Sequence, residues 1–209
     1  MKVELKNMNK SFGKQKIFDN FNITIESGEM VCILGKSGSG KTTLLNILGL
    51  IEKKDHGTII YNTTIINTEK KQRSLLSNSI GFIFQNFGLI DNETVYQNLS
   101  IIKQLNFKKK KEKIKKIKEI FDTLDLSEEI IYKKVYECSG GEQQRVAIAK
   151  ILIKECDIIF ADEPTASLDK YNKIKILDQL KKLNRQGKTI VIVSHDDEIC
   201  NYCDRVITI

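Results

Sequence analysis

The spacing of apolar residues changes character several times along the chain. Over positions 1–28 apolar and polar residues alternate through 3–5 and 21–25, with a break at Gly13, which predicts a small antiparallel sheet. Met30–Leu34 (MVCIL) is an unbroken apolar run of strand length that stops at a glycine-rich stretch. From Lys41 to Leu50 the spacing turns helical, and residues 58–66 read as a further strand pair. Between about 86 and 135 the chain is polar, lysine-rich and helical, with Leu99, Ile102 and Leu105 marking an apolar stripe. Two more buried-strand candidates follow at 158–161 and 189–193, each preceded by a helical segment, and a last strand spans 205–209. Strands alternating with helices predict a mostly parallel sheet covered on both faces. The only proline, Pro164, falls just after a strand, where it ends the element without breaking a ladder.

Composition narrows the class. A chain of 209 residues with 41% hydrophobic and 29% charged residues suits one folded domain with a real core. The N-terminus lacks the apolar stretch of a secretory signal, and no apolar run approaches the roughly 18–20 residues that cross a bilayer, so the expected place is the cytosol. Five cysteines, an odd number, argue against a disulfide framework, and Cys200 and Cys203 form a lone C-x-x-C expected simply to pack at helical spacing. The net charge is +7, and its densest source is the run 108–118. Ile114, Ile117, Phe121 and Leu124 recur through that run at helical spacing, which predicts an amphipathic helix with a solvated lysine face rather than a nucleic-acid site.

The chemistry begins at Gly35. Residues 35–43 read GKSGSGKTT and satisfy G-x-x-x-x-G-K-[ST] between a predicted strand and a predicted helix. Glycines let the backbone curl so that successive N–H groups point inward at phosphate oxygens, and the helix start adds its positive dipole end. Gly35, Lys36, Ser37, Gly38, Ser39, Gly40, Lys41, Thr42 and Thr43 are therefore the nucleotide-binding candidates, with Lys41 toward the β and γ phosphates and Thr42 toward Mg²⁺.

Ser139 to Arg145 (SGGEQQR) then resembles the signature of the ABC ATPases, and other motifs of that family follow in order. Gln85 in GFIFQNF resembles the Q-loop glutamine, and Asp162 and Glu163 in IIFADEP resemble the Walker B aspartate and catalytic glutamate. Ser167, Leu168 and Asp169 match the D-loop, His195 in VIVSHD matches the switch histidine, and Phe12 stands where an aromatic residue stacks on adenine. Cys138 departs from the usual leucine before SGG, with little effect expected on hydrolysis.

The resemblance covers the whole chain and implies an α/β P-loop NTPase fold: a mostly parallel core sheet, a small antiparallel β subdomain and an inserted helical subdomain at about 86–140, all in one nucleotide-binding domain over 1–209. It implies Mg²⁺-dependent ATP hydrolysis, with Glu163 as base, His195 on the γ-phosphate, and Thr42, Gln85 and, through water, Asp162 serving the metal. It further implies a homodimer closed around two ATP molecules, in which Ser139, Gly140, Gly141 and Glu142 act on the nucleotide of the opposite subunit.

The wording of GFIFQNFGLIDNETVYQNL is similar to subunits that energise lipoprotein-release, macrolide-export and bacteriocin-export complexes, closest to the lactococcin type. This implies a separate membrane-spanning permease, docked near Gln85 to Asn98, that holds the chain at the inner face of the membrane. A regulatory ATPase driving an envelope process without cargo is the alternative.

Overall fold

A computed structural model of the chain describes every residue except Asn106, Lys108 and Ser167. The first residue of the basic run and the serine of the D-loop motif thus lie outside the described residues.

Strands β1 (Val3–Phe12) and β2 (Gln15–Ile25) form an antiparallel hairpin that turns at Gly13, where φ is +57° and a side chain would be strained. Alternation decides the buried face: Val3, Leu5 and Met8 of β1 point inward. Strand β4 (His56–Tyr61) pairs with β1, and β5 (Thr64–Ile65) pairs with β4, giving a four-stranded sheet in the order β2-β1-β4-β5. This is the expected antiparallel subdomain, with both hairpin strands longer than their apolar alternation alone indicated.

The second sheet is five-stranded and parallel, in the order β6-β7-β8-β3-β9: β6 is Ile80–Ile83, β7 Ile158–Asp162, β8 Thr189–Ser194, β3 Met30–Leu34 and β9 Arg205–Thr208. Every residue of β7 and β8 is buried, which is why these strands read as continuous apolar runs. The pleat sends Val31 and Ile33 toward a core shared with the antiparallel sheet and helix α1 (Lys41–Leu48), and Met30 and Cys32 toward a second core under the other helices. Parallel pairing also brings the C-terminal ends of β3, β7 and β8 to one edge, where open α/β sheets take their ligands.

Two elements escaped the hydrophobic pattern. Helix α2 (Glu69–Asn78) buries none of its residues, so no apolar stripe marks it; it is opened by Thr68, whose side chain accepts from the Lys71 N–H. Strand β6 has four residues, one of them Gly81, too short a run to stand out. The segment 86–135 is less helical than its composition suggests. It holds α3 (Val95–Ser100), α4 (Lys110–Thr123) and several 3₁₀ turns, folded over the expected stripe of Leu99, Ile102 and Leu105. On α4 the apolar side chains Ile117, Ile120 and Phe121 are buried and Lys110, Lys111, Lys115 and Lys116 are exposed, as the amphipathic spacing requires. Helices α5 (Gly140–Lys154) and α6 (Lys170–Arg185) complete the layer.

Candidate functional site

The loop between β3 and α1 is shaped by close backbone approach. A Cβ on Gly35 would stand 2.5 Å from both the Ile209 carbonyl oxygen and Ser39 Oγ, and Gly38 and Gly40 hold φ of +82° and +97°. Gly40 opens α1 with no side-chain cap hydrogen bond and no acidic residue in the first turn, which leaves the helix start's N–H groups for another acceptor. Lys41 is buried, and its Nζ donates to the carbonyls of Gly35 and Lys36 at 2.7 and 2.9 Å, arched over the loop that an anion would enter. Ser39 Oγ is buried with no partner, one more polar group turned into this loop.

Across the sheet edge, Thr42 Oγ1 donates to Asp162 Oδ1 at 3.2 Å. Burial pushes the Asp162 carboxyl above its ordinary range; the neighbouring Glu163 adds to this, while Thr42 and Lys41 oppose it. Paired hydroxyl and carboxylate oxygens at the end of a phosphate loop are the hard donors that Mg²⁺ takes, so these residues fit the implied metal. Among the described residues no group of three or more His, Cys, Asp or Glu is placed to hold a metal by itself.

Glu163 departs from ordinary backbone. Its φ is +45°, a left-handed conformation unusual for a non-glycine residue, and its N–H donates to the Val193 carbonyl at 3.0 Å. That twist turns the carboxylate along the sheet edge: Oε1 lies 2.7 Å from His195 Nδ1, and Oε2 accepts from Ser194 Oγ at 3.2 Å. The carboxylate is mostly buried while the His195 ring is 68% exposed, so the imidazole faces the opening.

These groups meet in a cleft of about 660 Å³, lined by Phe12, Ser37, Gly38, Gly40, Lys41, Thr42, Thr43, Gln85, Glu163 and His195, with Gln15 and Ile17. Phe12 is half-exposed at the end of β1, with Lys10 Nζ 4.6 Å above its ring. Gly35, Lys36, Ser39 and Asp162 do not line the cleft; Lys36 is exposed, and the Ser39 hydroxyl is buried in the loop.

The remaining candidates stand elsewhere. Ser139, Gly140, Gly141, Glu142 and Asp169 do not line this cleft. Ser139 caps α5 through a capping box: its Oγ accepts from the Glu142 N–H, while its own N–H and hydroxyl donate to Glu142 Oε2 at 2.7 and 2.9 Å. Burial works to raise the Glu142 carboxyl, but the hydrogen bonds from Ser139 and the nearby Lys133 and Arg145 outweigh it and hold the carboxyl low. Gly140 meets open space where a side chain would point. Cys138, before this turn, is buried, with Sγ 3.7 Å from the Lys134 carbonyl, so it fills a packing position. Asp169 caps α6 by accepting from the Asn172 N–H, and Asn172 Oδ1 in turn accepts from Arg145 of α5 at 3.0 Å.

Three supporting residues were not singled out from sequence. Ser194 steadies Glu163; it stands next to His195, the one signal that could have found it. Gln144, almost fully buried, donates to the Pro164 carbonyl at 2.7 Å and fixes the turn after Glu163. Asn172 bridges α5 and α6, and nothing in the sequence distinguishes it from other polar helix residues.

Comparison with known proteins places this geometry. The sequence profile of the ABC transporter family matches residues 18–166. The macrolide export ATP-binding/permease protein MacB of Campylobacter jejuni is 42% identical over 210 residues, covering 99% of this chain but 32% of that protein. The chain thus spans about a third of the length of such relatives. The lipoprotein-releasing system ATP-binding protein LolD of Bacteroides fragilis is 39% identical, covering 98% of this chain and 96% of its own length. Among solved structures, the dimeric post-hydrolysis state of the ATP-binding cassette MJ0796 of Methanocaldococcus jannaschii, bound to ADP and Pi, superposes with a TM-score of 0.89 at 35% identity over 99% of this chain and 94% of that one. On the profile match and on relatives of this identity and coverage, the chain belongs to the ABC transporter family.

Proposed function

We propose that residues 1–209 act as one nucleotide-binding cassette that hydrolyses ATP and transmits the resulting dimer opening and closing to a separate membrane permease. One observation carries this reading: an uncapped helix start, an arched lysine, a threonine whose hydroxyl donates to Asp162 behind the wall, and a glutamate–histidine pair share a single cleft.

Phosphoryl transfer to water asks a protein chiefly for positioning and charge stabilisation. In this reading the loop N–H groups and Lys41 hold the phosphates, with Lys41 exchanging its contacts to Gly35 and Lys36 for phosphate oxygens. Phe12 stacks on the base. Thr42, Asp162 and Gln85 serve Mg²⁺, which when bound spreads the charge of the phosphates. Glu163 takes the proton of the attacking water, and its hydrogen bonds to Ser194 and His195 hold the carboxylate in place. His195, exposed beside it, contacts the γ-phosphate.

The signature residues serve the twin subunit. Ser139, Gly140 and Gly141 open α5 away from their own chain's cleft; the glycine N–H groups are suited to a phosphate presented by another molecule, and the Ser139 hydroxyl joins them by exchanging its contact with Glu142 for a phosphate oxygen. Asp169 ties the start of α6 to the signature helix α5 through Asn172 and Arg145. The relatives named for macrolide export and lipoprotein release support an export complex at the inner face of a membrane, where a peptide, bacteriocin, lipid or drug is the class of cargo. Among the described residues no helix is long and apolar enough to cross a membrane, in keeping with a partner that does. Exposed Ile90, in the segment after Gln85, belongs to the surface offered to that partner.

The deciding experiment is size-exclusion of the Glu163→Gln protein with Mg-ATP. The expected result is a dimer that retains two unhydrolysed ATP molecules and falls apart when nucleotide is removed. A species that stays monomeric with bound ATP at every concentration defeats the shared-site reading.

A further inference from the structure

Three of the free cysteines converge behind the phosphate-loop strand, at a place the proposed hydrolysis leaves unused. Cys32 lies on β3 shortly before Gly35 and is fully buried. The pleat turns it toward the helical side, away from the antiparallel sheet. Cys200 sits in the 3₁₀ turn Asp197–Tyr202 that follows His195, and its Sγ is 3.5 Å from Cys32 Sγ. Cys203 ends the same turn, with its Sγ 3.6 Å from the Ile199 carbonyl. Cys200 and Cys203 are both partly exposed. The C-x-x-C therefore does more than pack at helical spacing, because one of its thiols reaches across to the strand that carries the nucleotide loop.

A disulfide is about 2.05 Å long, so a bond here requires roughly 1.5 Å of closure, within reach of side-chain rotation at two cysteines already in contact. We propose that Cys32 and Cys200 are a reversible disulfide pair, oxidised by exchange with a low-molecular-weight disulfide, and that the bond staples the turn after His195 to the phosphate-loop strand. Cys200 is the entry point because it is partly exposed. Its thiolate attacks one sulfur of the small disulfide, forming a mixed disulfide and releasing one small thiolate, which takes up a proton. Cys32, deprotonated in its turn, attacks Cys200 Sγ and expels the second small thiolate, which is protonated likewise. Two protein thiols are oxidised and one small disulfide is reduced to two thiols.

Burial pushes the Cys200 thiol up to about 11, and the Cys203 thiol together with burial pushes Cys32 up as well. Both stand protonated at neutral pH, so the resting pair is a dithiol and its oxidation is slow. With the staple in place the His195 loop is tied to β3, and turnover slows while the cleft still binds nucleotide. That consequence rests on the reading of His195 given above, whereas formation of the bond does not.

The test incubates the full chain with oxidised glutathione, alkylates it under denaturing conditions and digests it with trypsin without reduction. A cross-link between peptides 17–36 and 189–205 is expected. It should be lost in Cys200→Ala and in Cys32→Ala, kept in Cys203→Ala, and reversed by dithiothreitol. ATPase turnover should fall by about threefold or more in the protein that carries the cross-link, since a tied loop gates turnover, and recover on reduction. All five cysteines alkylated after prolonged incubation, or a bond confined to peptide 189–205, overturns the pair. A cross-link with unchanged turnover overturns the staple. Absence of ATPase before any oxidation counts against the proposed function instead, and the peptide map still decides the bond.

Discussion

Two loop-to-helix junctions in this molecule look alike in sequence and differ in what surrounds them. At Gly35 to Thr43 the turn is clamped between β3, Ile209 and the antiparallel sheet, its helix start has no cap, and its lysine folds back on the loop's own carbonyls. At Ser139 to Glu142 the turn is exposed, and its helix start is closed by a reciprocal capping box. The first junction is a site waiting for charge within its own chain. The second closes its own hydrogen bonds, and under the proposed function it serves a nucleotide held by another molecule. An oligomer whose members each contribute one junction of each kind has two identical composite sites related by two-fold symmetry.

Ser139→Arg gives the largest expected effect on that contrast. A bulky cation at the exposed turn should abolish steady-state hydrolysis, while ATP binding to the isolated chain, read by equilibrium dialysis, stays at the wild-type level. Glu163→Gln should slow hydrolysis by roughly 100-fold or more with binding intact, as loss of a general base does. Mixing the two inactive proteins sharpens the comparison further. A mixed dimer joins the intact cleft of the Ser139→Arg chain to the intact turn of the Glu163→Gln chain, so partial turnover should return and rise with protein concentration. If the mixture stays as inactive as its parts, the two junctions do not work across a dimer.

Glu142→Ala separates folding from function at the second junction. It removes the carboxylate that holds the Ser139 N–H and hydroxyl, and loss of such a cap costs about 0.5–2 kcal/mol. In a chain of this size each kcal/mol lowers the Tm by about 2–4 °C, so calorimetry should register a few degrees. Turnover should fall because Ser139 loses its orientation, and Glu142→Gln, which keeps an acceptor for both donors, should restore most of it. A fall in turnover without any change in Tm would detach the two roles.

How much was readable beforehand follows the same divide. β3 was legible to the residue because a strand buried on both faces must be apolar throughout and must stop where glycines begin. The loop from Gly35 to Thr43 was legible as a turn between strand and helix because few side chains fit where its backbone approaches its neighbours so closely. α2 was invisible because only Leu75 and Leu76 pack against the core and neither is fully buried, and β6 because four residues carry no period. The left-handed Glu163 could not be foreseen: its φ of +45° is imposed by the Val193 carbonyl and the Gln144-braced turn, neither of which is local in sequence. The meeting of Cys32 with Cys200 was hidden for the same reason, since the spacing of the C-x-x-C motif says nothing about which strand lies beneath it.

The smallest expected effect is also the one whose sign is least obvious. Burial raises the Asp162 carboxyl above its unfolded-state range, so the folded chain binds that proton more tightly than the unfolded chain does. Between the unfolded and folded values the native state carries more protons, and stability therefore falls as pH rises through that window. Ionising the buried Asp162 therefore costs the free protein stability, and under the proposed function that charge is kept for the cation it would help to hold. Asp162→Asn keeps an oxygen to accept from Thr42 and removes the buried charge. It should raise the Tm of the nucleotide-free protein at pH 7, leave it little changed below pH 4, and abolish the additional stabilisation that Mg-ATP gives over ATP with a chelator. A variant that loses stability at pH 7 but not in acid would mean that Asp162 supports the fold through its charge, and an equal loss at both would mean that its contact with Thr42 at the edge of β7 serves packing rather than metal.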